Sequence, residues 1–263
     1  MEVLIKASRI SFGIMIVGLA TLQIVYADFR PVVLPPWTLS FPGHAIFVYG
    51  INSLLILGGI AIIFDKSARL VSLLLGGLFL LLFVACQIPY ELFVDPQHSN
   101  LGSWTSALKE LALAGSGFVV AGSYPVSNQI SSAFINALET MIPYGKIFFS
   151  IMLILFGIDH FLYTQWVAML VPNWIPGHVF WTYFAGVALI GAGITIILKI
   201  QLKLSALLLA AMIFLWFILL HIPRAIADPH SLESNEIASV FEAFGFSGVA
   251  YLMAYGYHTK KIL

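Results

Sequence analysis

Asp159 and His160 stand side by side near the end of a long apolar run. His178 opens the next run after Pro176-Gly177, and His221 closes the run after that. Glu242 lies roughly 8 Å into the last run, counting 1.5 Å per residue. Ionisable groups inside apolar spans are costly and face a bundle interior or a wet cavity. Neutral imidazoles beside a carboxylate can hold a metal ion. They can equally relay protons, since histidine titrates near neutral pH. The expected catalytic set is therefore His160, Asp159, His221 and Glu242, with His178, Arg224, Trp181, His44 and Glu110 as ligand-binding candidates. If a metal is held, its ligands come from His160, His178, His221 and Glu242. Plainer roles compete with these. His44 and His178 each follow Pro-Gly at a helix start, where an interfacial histidine needs no role. Arg224 can pair with Asp228 or Glu242 and hold a loop. His98, His230, Glu233 and Glu236 read as solvated loop residues. Trp37, Trp104, Trp166 and Trp174 fit an aromatic belt, while Trp181 and Trp216 lie deeper, where they could line a hydrophobic ligand site.

The elements that position these residues follow from composition. The 263 residues are 60% hydrophobic and 9% charged, with a mean hydropathy of +0.99. A soluble domain carries about a quarter charged residues, so an all-α polytopic membrane protein is expected. Eight apolar runs qualify as spans: roughly 10–27, 44–64, 68–88, 104–123, 146–163, 178–198, 203–222 and 237–257. The first run continues to Tyr26 without a cleavage-like site and reads as a retained helix. Zero net charge implies no nucleic-acid partner. The one cysteine, Cys86, excludes an internal disulfide and a C-x-x-C redox pair. No phosphate-binding glycine loop, Ser-His-Asp set or C-x-x-C-H motif occurs.

Nine of the twelve basic residues (Lys6, Arg9, Lys66, Arg69, Lys146, Lys199, Lys203, Lys260 and Lys261) fall on one side, and most acids on the other. The positive-inside rule then places both termini in the cytoplasm.

The halves of the chain match each other. Tyr26 aligns with Tyr163, Pro35-Pro36-Trp37 with Pro172-Asn173-Trp174, and Pro42-Gly43-His44 with Pro176-Gly177-His178. Gln87-Ile88-Pro89 aligns with His221-Ile222-Pro223, Asp95-Pro96 with Asp228-Pro229, and Glu110 with Glu242. Two parallel-oriented four-helix repeats are expected, residues 1–123 and 145–263, joined by a cytoplasmic linker over 124–144 with a short interfacial helix near 131–140. Where the second half has His160 and His221, the first has Gln23 and Gln87. Glutamine keeps hydrogen bonding but not protonation, so chemistry is expected in the second half.

The pattern GIDHF followed by V-P-N-W-I-P and YFAGVALIGAG, with Lys109-Glu110-Leu111-Ala112-Leu113-Ala114-Gly115 in the first half, resembles the DoxX and DoxX-like superfamily of four-span bacterial membrane proteins. The resemblance spans both halves, so the chain looks like a fused tandem. It implies a bacterial inner membrane and a redox-associated component handling a quinone or small reductant, beside a partner protein. A metal ion or a b-type haem between His160 and His221 is a further option. The alternative is a non-enzymatic binding or transport protein, or a structural subunit, holding a lipid or small solute.

Overall fold

The computed structural model describes residues 1–36, 43–126, 132–230 and 235–255. Trp37, Pro42, Glu233, His258, Lys260, Lys261 and linker residues 127–131 lie outside the described residues. All regular structure among the described residues is helical. In hydrocarbon this is forced, because a helix satisfies its own backbone donors and acceptors. The helices are α1 (Glu2–Tyr26), α2 (His44–Ile63), α3 (Ala68–Phe93), α4 (Thr105–Gly122), α5 (Ala133–Met141), α6 (Gly145–Leu162), α7 (Thr164–Ala168), α8 (His178–Ile197), α9 (Leu202–Ala227) and α10 (Asn235–Tyr255).

Among the described residues, seven helical stretches are long and apolar enough to cross a membrane: α1, α2, α3, Ala133–Leu162, α8, α9 and α10. The expected span over 104–123 forms a helix, α4, but stands apart from these seven. It carries Lys109 and Glu110 and many small residues, and 15 of its 18 residues are buried. A helix enclosed by other helices needs no lipid-facing apolar stripe.

Both α3 and α9 are interrupted in the same way. Each has fifteen α-helical residues, a five-residue π turn (Phe83–Gln87 and Phe217–His221), then six more α-helical residues. Pro89 and Pro223 stand two residues after the π turns end. Proline lacks the N–H for an i→i−4 bond and crowds that carbonyl, and the wider π turn absorbs the mismatch. The Ile88 and Ile222 amides accordingly bond five residues back, to Phe83 and Phe217. Helices α2 and α8 are each twenty residues long and begin after a glycine with positive φ, Gly43 at 96° and Gly177 at 75°. That conformation costs a side-chain-bearing residue but not glycine.

Packing does not follow the order of the chain. Helix α1 lies along α2 and α10, α6 lies along α8 and α4, α3 pairs with α4, and α9 with α10. The first helix of each half thus packs on the last helix of the other. Glycines permit the closest of these approaches. A Cβ on Gly115 of α4 would stand 2.5 Å from the Gly145 carbonyl oxygen of α6.

At the end rich in lysine and arginine, hereafter the basic end, two arginines close the C-terminus of α4. Arg69 donates to the Ala121 and Tyr124 carbonyls at 2.9 and 2.7 Å and pairs with Glu139 of α5. Arg9 bonds the Ser123 side chain and carbonyl and lies over the Tyr124 ring. These contacts satisfy carbonyls that a helix end leaves orphaned. They also dock α5, the helix expected in the linker, with Leu138 against Gly77 of α3. The opposite end, formed by the longer loops, is the connector end.

Candidate functional site

The residues singled out in the second half fall into separate neighbourhoods. His160 projects from α6 towards Gly186 of α8, with its Nδ1 2.7 Å from the Phe156 carbonyl and its ring stacked on Trp216 of α9. Asp159 beside it is partly buried, and its Oδ1 has no hydrogen-bond partner. His221 ends the π turn of α9 with a buried Nδ1 that has no partner, and Lys109, Arg224 and Glu236 are the charges around it. Glu242 on α10 is buried and paired with Lys109 of α4 at 2.6 Å. Lys109 therefore draws His221 and Glu242 into one neighbourhood, while His160 belongs to the packing of α6, α8 and α9.

The remaining candidates are placed as follows. Arg224 grips Glu236, with its Nε 2.9 Å from Oε2. The expected partners, Asp228 and Glu242, give way because Glu236 is nearly two turns nearer the loop than Glu242, which already has Lys109. Trp181 is 44% exposed beside Phe180 and Phe184, and its Nε1 donates to the Pro176 carbonyl. His178 opens α8, where its carbonyl accepts from Thr182. His44 opens α2, 3.5 Å from Asp28 and edge-on to Phe29. Among the described residues no three His, Cys, Asp or Glu side chains are grouped to hold a metal ion.

The first half carries a polar cavity instead. Its volume is about 200 Å³, and it opens at the connector end between the 31–36 segment, α3 and α4. Gln87, Tyr90, Glu91, Asp95, Ser103 and Ser106 supply its polar wall, and Pro31, Pro35 and Pro36 the rest. The π turn of α3 ends on Gln87, and Glu91 follows one turn later on the same face. The Gln87 Nε2 donates to the Pro31 carbonyl at 2.6 Å, while its Oε1 is buried without a partner. Ser103 donates to the Asn100 carbonyl and lies 3.5 Å from Glu91. At the mouth, the Gln97 N–H donates to Asp95 and holds that carboxyl below its usual range.

Glu110 lies beneath this cavity, one helical turn beyond Ser106 on α4. It is fully buried, and neither carboxyl oxygen has a hydrogen-bond partner. Gln87 and Cys86 are its neighbours across α3. Beside this site a buried network joins Gln23, Asn52 and Arg30. Gln23 Nε2 donates to Asn52 Oδ1 at 2.7 Å, and the Arg30 N–H donates to Gln23 Oε1 at 3.0 Å. A second cavity of about 350 Å³ between α1, α2 and α10 is walled by apolar residues such as Val17, Ile63 and Phe241.

Of these residues, Lys109, Gln87, Asn52 and Ser103 were not singled out as site residues by sequence reasoning. The available signal was the Lys109-Glu110 pair inside an apolar run, together with Glu91 and Asp95 one turn apart.

Residues 149–234, a third of the chain, match the model of a domain of unknown function, DUF8561. No curated protein and no solved structure matches the chain.

Proposed function

We propose that this is a membrane protein of eight spans, a fused tandem of two four-span units in the same orientation, that binds a small polar solute at the connector end of its first unit. The cavity under the 31–36 segment carries the binding reading. In a chain that is 60% hydrophobic, two carboxylates, an amide, a phenol and two hydroxyls meet around about 200 Å³. Ligand sites gather a few convergent polar groups in this way. The matched segment lengths of α3 and α9, and of α2 and α8, support the tandem, as does the resemblance to four-span DoxX-like proteins. So does an exchange of partners: Gln23 bonds Asn52, whereas at the corresponding place His160 packs on Gly186. With both termini cytoplasmic in a bacterial inner membrane, the solute enters from outside. The chain is then a binding or transport component rather than an enzyme.

One observation favours the redox reading, in which a quinone or small reductant meets the second unit beside a partner protein. His221 Nδ1 and Asp159 Oδ1 are polar atoms without partners at that end. A visible spectrum with quinone extraction and metal analysis of the purified protein tests it.

The binding reading is tested by thermal unfolding in lipid nanodiscs against a panel of small polar solutes. At least one solute should raise the midpoint of the wild type and leave Ser106→Leu, whose cavity is filled, unmoved. Equal shifts in both proteins overturn the assignment of the cavity.

A further inference from the structure

The two halves treat their equivalent buried glutamates differently. Glu242 is neutralised by Lys109, which reaches across from the other half. Glu110 occupies the matching position, is fully buried and has no hydrogen-bond partner on either oxygen. The residue that could have neutralised it is its own chain neighbour, Lys109, and that side chain points to α10. The position corresponding to Lys109 in the second half is Phe241, which brings no charge back to α4.

The groups facing Glu110 complete the picture. From α3 they are Cys86 and Gln87, with Glu91 one turn further out. On α10 the buried charge is Glu242, already held by Lys109. From α6 the surface packed on α4 is Gly145, Phe148 and Phe149, which meet Gly115 and carry no charge. Arg30 is turned to the Tyr26 ring, and His98 bonds the Asp95 carbonyl at the rim. Gln87 has committed its Nε2 to Pro31, so the atom still lacking a partner is an acceptor, Oε1. With no partner on either oxygen, an ionised Glu110 would be an uncompensated buried charge, whereas the carboxylic acid carries none. The cavity above adds Glu91 and Asp95, and no lysine, arginine or histidine lines it among the described residues.

We propose that the solute of this cavity is a small cation, an organic ammonium or an alkali metal ion, and that it exchanges with a proton held on Glu110. This rests on the binding reading above. On binding, the O–H bond of the Glu110 carboxyl breaks and the proton leaves through the cavity to water. The cation takes its place against Glu110, Glu91 and Asp95, so the buried charge is unchanged.

The experiment uses the full chain in nanodiscs, with methylammonium, ethanolammonium and sodium as probes. Binding is followed by calorimetry and proton release by a pH dye in weak buffer. The infrared carbonyl stretch of a protonated carboxyl is read in the same samples. The wild type should show that stretch at neutral pH, lose it on adding a cation, and release about one proton per cation bound. Glu110→Gln, nearly isosteric, should lack the stretch and bind without proton release. A cation that binds the wild type but not Glu91→Gln, with no proton released, overturns the exchange and leaves the cavity assignment standing. A wild-type infrared spectrum identical to that of Glu110→Gln does the same. Binding of neutral solutes alone overturns the cation class. Binding of nothing to the cavity overturns both readings.

Discussion

Removing Lys109 tests whether one half of the chain neutralises the other. Its Nζ lies 2.6 Å from Glu242 Oε2, with the two side chains 21% and 7% exposed. Lys109→Met keeps the length and packing of the stem and strands the Glu242 carboxylate among α4, α9 and α10. Breaking a buried pair from one side costs about 3–5 kcal/mol, because the remaining charge has lost its compensation. For a chain of this size that is a fall in melting midpoint of about 6–20 °C. The second cycle corner is Lys109→Met with Glu242→Leu, which removes both charges. Replacing a buried pair by apolar groups of similar volume is near neutral, so the double variant should recover most of the loss. Intrinsic fluorescence on heating in nanodiscs reads both. A single variant within about 1 °C of wild type, or a double variant no better than the single, refutes the reasoning.

Three further outcomes are expected. Gly115→Ala should lose about 1–3 kcal/mol of stability by overpacking, since its Cβ meets the Gly145 carbonyl at 2.5 Å, whereas Gly191→Ala, with open space around it, should be close to silent in the same melt. Asn52→Leu removes the acceptor of the buried Gln23 amide and should cost about 1–3 kcal/mol, and changing Gln23 to Leu as well should cost less than the sum of the two single changes. Burial holds the Tyr124 phenol up at about 12 against an ordinary 10.0, with Arg9 pulling the other way. A proton held more tightly in the folded state lends stability below the unfolded pKa and loses it as pH rises through the folded one. Tyr124→Phe should therefore flatten the alkaline decline in melting midpoint between about pH 10 and 12, and superimposable alkaline limbs would dismiss the effect.

The helices were legible because apolar runs and helix length are set by the same bilayer thickness. The run read over 44–64 is the helix His44–Ile63, and the run over 178–198 is His178–Ile197. The π turns were not legible, since Pro89 and Pro223 announce a distortion without saying how the backbone relieves it. The site was half legible. Depth and sign of charge pointed to the connector end, where Glu110 and Glu242 were both picked out. Their difference lies in which way Lys109 turns, and a flexible four-carbon stem carries no sequence mark of that. Histidine drew attention to the second half because it titrates, whereas the first-half cavity is built from Gln87, Ser103 and Ser106, residues that gain meaning only by convergence. Arg224 chose Glu236 over two equally plausible acids for the same reason.

The pairing of α1 with α10 sets a timetable for synthesis. The partner of α1 leaves the ribosome roughly 200 residues after α1 does, about 10–40 s at ordinary elongation rates. Through that interval the face bearing Ser8, Ser11 and Gly18, which later meets Gly248 and Phe241, has only lipid or the insertion machinery beside it. Helix α4 waits more briefly, since α6 follows the linker closely. Assembly is therefore closed from its two ends, and the step that completes it is the arrival of α10 between α1 and α9.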